Sequence, residues 1–315
     1  MIVVTGGFGF IGSNLVKALN ARGRNDILVV DDLSDGRKSL NLADCQISDY
    51  LDSEQSLQKL QSGTGFGENV EVIYHLGACS DTTQWDGRLM MEQNYCYSKA
   101  ILDYSILKGI PLVYASSAAV YGKSRQFVET SVNEKPLNMY GYSKLAFDQH
   151  VRYRLKDSNS TIIGLRYFNV FGMGESHKLK MASVVWHFYN QLISTGLLRL
   201  FAASHGFSDG EQRRDFISVG DVVKVTLWAA EQGSHVSGIY NCGTGSSLSF
   251  NEVAKQIIEL EGRGGIEYIK FPEQLENSYQ AFTQADLSSL RLAGYSEIFS
   301  NPLEEIKEYV RCLAS

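Results

Sequence analysis

The pattern Tyr-x-x-x-Lys occurs at Tyr95/Lys99, Tyr104/Lys108 and Tyr140/Lys144. A chain with 17 tyrosines yields on the order of one such match by accident, so position has to choose among them. The first two pairs fall inside one long helical pattern, where a tyrosine packs. Tyr140 opens the next helical pattern, and Ser116-Ser117 closes the strand-like run before it. Open α/β sheets hold ligands at the carboxyl ends of their strands, and one helical turn puts Lys144 on the face of Tyr140. A phenol with a pKa of about 10 is a poor base near neutrality. A lysine cation beside it favours the phenolate and lowers that pKa toward the working range. Ser117 can hydrogen-bond the reacting oxygen; its alternative is an ordinary strand-end hydroxyl. Together the three can move a proton to and from an alcohol.

Oxidising an alcohol also needs a hydride acceptor, which a cofactor supplies. Thr5-Gly-Gly-Phe-Gly-Phe-Ile-Gly12 sets Gly6, Gly9 and Gly12 at G-x-x-G-x-x-G spacing. Gly6 permits a tight turn, Gly9 lets backbone approach a pyrophosphate, and Gly12 lets helix and strand pack closely. Among 29 glycines such a motif is weak alone; a strand before it and a helix after it give it weight. Asp31-Asp32 closes the second strand, about 20 residues on, where a carboxylate takes adenine-ribose hydroxyls. Asp31 favours NAD, because a carboxylate repels a 2′-phosphate. Arg37 and Lys38 could pair with that phosphate or simply solvate a turn, so the residues leave NAD and NADP both open. With either, the positive nicotinamide would add to the effect of Lys144, which can also hold the nicotinamide ribose.

The elements that must position these groups are legible. Apolar, β-branched runs at 2–4, 27–30, 70–74, 111–115 and 162–165 read as buried parallel strands. Helical patterns at 11–22, 54–61, 88–108 and 140–155 alternate with them. The alternation predicts an α/β fold with a doubly wound parallel sheet, a Rossmann architecture. After about residue 170 the rhythm breaks: a glycine-rich turn at 172–178, a helix at 181–192, a polar loop at 203–212 and another helix at 250–260. The expected division is a dinucleotide-binding domain from 1–170 and 216–238, and a smaller discontinuous substrate lobe from 171–215 and 239–315.

Composition excludes several classes. The 315 residues, 44% of them hydrophobic, allow a large core, and a net charge of −6 argues against general affinity for nucleic acid or anionic membrane. No apolar stretch approaches the roughly 20 residues that span a bilayer, and the N-terminal run has no signal-peptide pattern. Five cysteines, with no CxxC, read as free thiols of a reducing cytoplasm, and no metal is expected.

Several stretches resemble the extended short-chain dehydrogenase/reductases that modify nucleotide sugars, such as the UDP-galactose 4-epimerases. They are the glycine loop, Tyr114-Ala-Ser-Ser-Ala-Ala-Val-Tyr-Gly122, Tyr140-Gly-Tyr-Ser-Lys144 and Arg166-Tyr-Phe-Asn-Val-Phe-Gly172. Others resemble the ADP-glyceromanno-heptose 6-epimerases, which prepare L,D-heptose for lipopolysaccharide core. These are His75-Leu-Gly-Ala-Cys-Ser80, Thr83-Gln-Trp-Asp-Gly87, Glu134-Lys-Pro-Leu-Asn138, Gly174-Glu-Ser-His-Lys-Leu-Lys-Met-Ala-Ser183 and Tyr279-Gln-Ala-Phe-Thr-Gln-Ala-Asp-Leu287. The resemblance covers nearly the whole chain.

That resemblance implies removal of a hydride from carbon 6 of the heptose, a transient ketone, and return of the hydride to its other face from the same tightly bound NADP(H), one per subunit. It implies opposed acid/base groups at Tyr140 and Lys178. From the residues alone, Lys178 sits in a glycine-rich loop between lobes and would need a depressed pKa to act as a base. The resemblance places the cofactor at Phe10, Ile11, Asp31, Asp32, Lys38, Leu76, Gly77, Ala78, Cys79, Ser80, Gln93, Lys144, Val170 and Lys178. It places the ADP-sugar at Ser117, Asn169, His187, Phe201, Ser204, Arg214 and Tyr279, with Arg214 able to hold a diphosphate bidentately. His187 also reads as a packed helical histidine. A homo-oligomer, often a pentamer, is a further implication.

The departures are specific. Ser53 stands where relatives carry a lysine for the NADP phosphate, which weakens that preference. Gln93 replaces an asparagine, although Asn94 follows it. Lys180 replaces a small polar residue near the substrate, Phe201-Ala-Ala-Ser204 lacks a glutamate and a glycine, and the 203–212 loop is longer. Three rivals are weighed. A 4,6-dehydratase carries an acidic pair after the serine, and Ala118 and Ala119 stand there instead. A UDP-hexose 4-epimerase leaves the 174–183 and 279–287 stretches unexplained. A non-catalytic redox sensor has no use for serine, tyrosine and lysine together.

Overall fold

A computed structural model describes residues 1–276 and 278–314. The first half alternates strand and helix: β1 Ile2–Thr5, α1 Phe10–Ala21, β2 Ile27–Asp31, β3 Asp49–Asp52, α2 Ser53–Gln61 and β4 Val72–His75. Next, α3 Gly87–Met90 runs through a π turn at Met91–Cys96 into α4 Tyr97–Lys108. Then come β5 Leu112–Ser117, α5 Met139–Arg154 and β6 Ile162–Tyr167. The second half holds β7 Asn169–Phe171, α6 Val184–Thr195, β8 Leu197–Phe201, β9 Arg213–Arg214, β10 Phe216–Ser218 and α7 Val219–Ala230. It closes with β11 Gly238–Cys242, β12 Leu248–Ser249, α8 Phe250–Glu261, β13 Gly265–Ile269, α9 Ser288–Leu292 and α10 Pro302–Ala314.

Seven strands form one sheet in the order β11-β6-β5-β4-β1-β2-β3, every pairing parallel. Strand residues alternate between the faces, and both faces are covered, so apolar side chains run without interruption. Val4 and Val29 pack on one side with Leu15 and Val16 of α1 and Val222 of α7. Val3 and Ile73 pack on the other with Ile101 of α4 and Phe147 and Val151 of α5. Each such side chain contributes roughly 1.5–3 kcal/mol by leaving water. A third core, with Val185, Phe188, Leu198, Val253 and Tyr309, holds α6, α8 and α10 around the parallel pair β8 and β13. The boundary expected at 238 needs correction: β11 pairs with β6 through Cys242, because Ile239 and Cys242 are buried against the central sheet. No helix among the described residues is long and apolar enough to cross a membrane.

The order reverses between β1 and β4, from which the chain leaves in opposite directions. That is the position at which an open parallel sheet leaves a crevice at its carboxyl edge.

Candidate active site

The loop after β1 is shaped by what it cannot hold. Gly6 has φ +68, and a Cβ there would lie 2.6 Å from the Gly77 nitrogen in the loop after β4. A Cβ on Gly12 would drive into the Gly6 carbonyl. Gly9 caps α1 without a side-chain hydrogen bond, so the first N–H groups of the helix remain for a ligand. A backbone cradle at a helix N-terminus fits a pyrophosphate.

Neighbouring groups brace the two loops. Thr5 Oγ1 lies 2.7 Å from His75 Nδ1, and His75 Nε2 lies 2.8 Å from Ser98 Oγ. Burial pushes this imidazole down to about 3, so it is a neutral strut between β1, β4 and α4. Asn94, on the π turn, accepts the Cys79 N–H at 2.8 Å and donates to the Cys79 carbonyl and Ser143 Oγ at 3.0 Å. It holds the 76–80 segment against α5. Gln93, expected beside the cofactor, is exposed and outside the cleft, because the π turn directs its successor inward.

Asp31 is buried and accepts the N–H groups of Phe8 and Asp32 at 2.8 Å and the Lys38 ammonium at 2.5 Å. Asp32 is exposed and instead caps the Ser34 N–H at 2.7 Å, outside the cleft lining. Arg37 pairs with Asp35 at the surface.

Tyr140 stands in the first turn of α5, whose N-cap Asn138 accepts the Gly141 N–H at 2.8 Å. Burial pushes its phenol up, with the hydrogen bond from Ser117 opposing. The lowered value expected from Lys144 is therefore corrected. Lys144 is buried and donates to the Ala115 carbonyl at 2.8 Å, so its ammonium is committed to β5. Burial brings Lys144 down to about 8, with Asp148 opposing.

The chain after β7 supplies the facing groups. Lys178 lies in the turn Ser176–Met181, half-buried, its Nζ 5.4 Å from the centroid of the Phe10 ring. Burial lowers its pKa, against Glu175, in the direction a base requires. Arg214 is buried with its guanidinium carbon 4.9 Å from the Tyr279 ring and 5.6 Å from the Phe250 ring. It donates to the Arg213 carbonyl at 3.0 Å and lines the cleft, a desolvated cation suited to an anion.

One cleft of about 790 Å³ brings together Gly6, Gly9, Phe10, Ile11, Gly12, Asp31, Lys38, the segment 76–80, Ser117, Tyr140, Lys144, Asn169, Val170, Lys178 and Arg214. His187, Phe201, Ser204 and Tyr279 lie outside that lining. His187 stacks edge-on against Trp186, and Ser204 Oγ accepts from Gln212 at 2.9 Å. Phe201 packs on Tyr279, which with His205 lines an adjoining groove of about 530 Å³. Glu175 and Asp148 were missed, and Asn94 was noted only as the neighbour of Gln93. Their only sequence signal was polar type within a helical or turn pattern, and it is their burial that marks them.

Residues 2–243 match the model of the NAD dependent epimerase/dehydratase family. The chain is 53% identical over 314 residues, all of it and 98% of the relative, to an ADP-L-glycero-D-manno-heptose-6-epimerase of Alkalilimnicola ehrlichii. It superposes on the crystal structure of an ADP-L-glycero-D-manno-heptose-6-epimerase from Helicobacter pylori with a TM-score of 0.83 and 30% identity, covering 100% of this chain and 96% of that one. A Thermotoga maritima UDP-glucose 4-epimerase with UDP-glucose gives a TM-score of 0.81 at 26% identity, covering 100% and 99%. A nucleotide-binding Rossmann sheet, a Tyr-x-x-x-Lys helix at its carboxyl edge and these full-length similarities have one conclusion: the chain belongs to the NAD dependent epimerase/dehydratase family.

Proposed function

We propose that this chain interconverts ADP-D-glycero-β-D-manno-heptose and ADP-L-glycero-β-D-manno-heptose through a transient 6-ketone, for lipopolysaccharide core synthesis. The observation that carries the reading is that Tyr140 of the first lobe and Lys178 of the second line one cleft, in a chain 53% identical to a heptose 6-epimerase. A 6-epimerase needs acid/base groups of separate origin, because the hydroxyl lies on opposite sides before and after. When bound, the nicotinamide dinucleotide supplies the hydride acceptor and returns the hydride. Gly6, Gly9, Gly12 and the α1 N-terminus would hold its pyrophosphate, and Asp31 and Lys144 its riboses. Ser117 hydrogen-bonds the substrate oxygen, Tyr140 exchanges its proton for one epimer, and Lys178 does so for the other. Arg214 and the Tyr279 ring hold the ADP moiety. The lobes divide the work accordingly, dinucleotide in the first and sugar nucleotide in the second. Ala118 and Ala119 leave no acid for expelling water, which disfavours a dehydratase.

The dinucleotide is read as NADP. Lys38 neutralises Asp31 at 2.5 Å, which removes the charge that would repel a 2′-phosphate, and Lys38 would then hold that phosphate. Mass spectrometry of the cofactor released from purified protein tests this; NAD alone would overturn it. The reading also carries a cytoplasmic homo-oligomer, which light scattering checks.

The decisive experiment incubates purified protein, without added cofactor, with ADP-D-glycero-β-D-manno-heptose and follows carbon 6 by NMR. A mixture of the two epimers is expected. No conversion, even with NAD or NADP added, would sink the heptose assignment in favour of UDP-hexose 4-epimerisation.

A further inference from the structure

Lys178 lies on a strap whose two ends are tied by one carboxylate. Glu175 is fully buried and accepts the Gly172 N–H at 3.3 Å, the Ser183 N–H at 2.5 Å and the Ser183 hydroxyl at 2.7 Å. The Tyr309 hydroxyl of α10 faces the same carboxylate. Its backbone carbonyl accepts the Lys178 N–H at 2.9 Å. Residues 172 and 183 bracket the strap, so a single side chain closes it into a ring and fastens the ring to α6 and α10. The first half of the chain also meets the strap: Asn14 donates to the Met173 carbonyl at 2.8 Å, Asn41 Nδ2 lies 3.1 Å from His177 Nδ1, and Lys180 meets Asp81 at 3.0 Å and Thr83 at 2.9 Å. The titratable groups facing Glu175 are Lys178 on its own strap and Tyr309 on α10.

We propose that Glu175 is the positioning residue for Lys178: its carboxylate clamps both ends of the strap, with α10 as the anchor, and supplies the negative charge that Lys178 faces. The proposal rests on Lys178 being the second acid/base group. A buried carboxylate with three donors is expensive to desolvate, and such a group is retained where it fixes a geometry. Removing the charge leaves Lys178 with burial unopposed, so its pKa falls further.

The test compares Glu175→Gln, Tyr309→Phe and Lys178→Met in the full-length protein, by NMR epimer exchange across pH and by melting temperature. Glu175→Gln is expected to lower turnover about ten-fold and move the pH limb owed to Lys178 to lower pH. Tyr309→Phe, which removes one hydroxyl, should lower turnover about three-fold without unfolding the chain, and it carries the test should Glu175→Gln fail to fold. Glu175→Gln added to Lys178→Met should cost nothing more, since one acts through the other. Full turnover by Lys178→Met overturns the acid/base reading and this proposal with it. Loss in Lys178→Met, beside additive losses or an unmoved limb in Glu175→Gln, overturns the proposal alone and leaves Glu175 a structural carboxylate.

Discussion

Lys144 stands on a regular helix above a buried ionic network, whereas Lys178 stands on an irregular strap between β7 and α6. One turn past Lys144, Asp148 accepts from Tyr114 Oη at 3.0 Å, Ser116 Oγ at 2.9 Å and Arg166 at 2.8 and 3.0 Å. Arg166 also reaches Glu134 at 2.5 Å, and Glu134 takes Arg152 at 2.6 and 2.9 Å. The side chains of Arg166 and Asp148 are 0% exposed, so this ionic cluster fixes the end of β5 that carries Ser117. The Lys178 wall has one carboxylate and a residue in left-handed backbone, Leu179 at φ 48°. The first wall is preorganised by packing of regular elements. The second is held at its ends and left irregular where it lines the cleft.

The largest expected effect tests the rigid wall. Tyr140→Phe should cost about 10²–10⁴ in turnover, the range for losing a general acid/base, while the cofactor still copurifies. Turnover within a few-fold of the parent would mean that the proton is handled elsewhere, and the contrast between the walls would lose its chemical meaning.

Next comes the network. Asp148→Asn leaves the buried Arg166 with Glu134 as its remaining carboxylate, and breaking a buried pair costs up to about 3–5 kcal/mol. Urea unfolding should show a loss of that order. A loss near that of an exposed pair, below about 1 kcal/mol, would show that the first wall is not held by these charges.

This contrast also explains what the sequence revealed. Tyr140, Ser117 and Lys144 were readable because strand ends and helical turns convert spacing into geometry. The glycine loop was readable because steric demands pick out glycine. Glu175 and Asp148 were not, since their partners lie on other elements and nothing local distinguishes a clamped carboxylate from a solvated one. Gln93 misled because a π turn shifts the helical phase, so that Asn94 rather than Gln93 faces Cys79. The pair β8 and β13 joins residues 197–201 to 265–269 with no repeating pattern to announce it, and β3 is a polar edge strand whose Asp49 and Tyr50 are exposed. The Tyr140 pKa went the other way because burial outweighs the Ser117 hydrogen bond, while Lys144 turns to Ala115.

A pH profile sharpens the comparison. The value for Lys144 is lowered to about 8, so its ammonium is present below that pH and is lost as pH rises through it. A cation beside the cleft favours an anionic oxygen there, so kcat/KM is expected to decline above about pH 8. Asp148 opposes the lowering, and Asp148→Asn should move the decline to lower pH. A profile flat to well above that value would show that the ammonium is not what supports Tyr140.

The smallest effect belongs to the strap. Leu179 holds φ 48° and ψ −118° and is 53% exposed. Left-handed backbone costs an L-residue about 1–2 kcal/mol, and a half-exposed side chain regains little of that by packing. Leu179→Gly removes the strain but gives the unfolded chain about 0.5–1 kcal/mol more freedom. The net expectation is a gain between zero and about 1.5 kcal/mol in denaturation experiments. Turnover should stay within two-fold, because Glu175 rather than Leu179 fixes the ends of the strap. A loss of stability would mean that the leucine packs usefully. Preserved stability with turnover reduced ten-fold would mean something different: the strained residue holds Lys178 in place, and the second wall is stiff at its middle rather than at its ends.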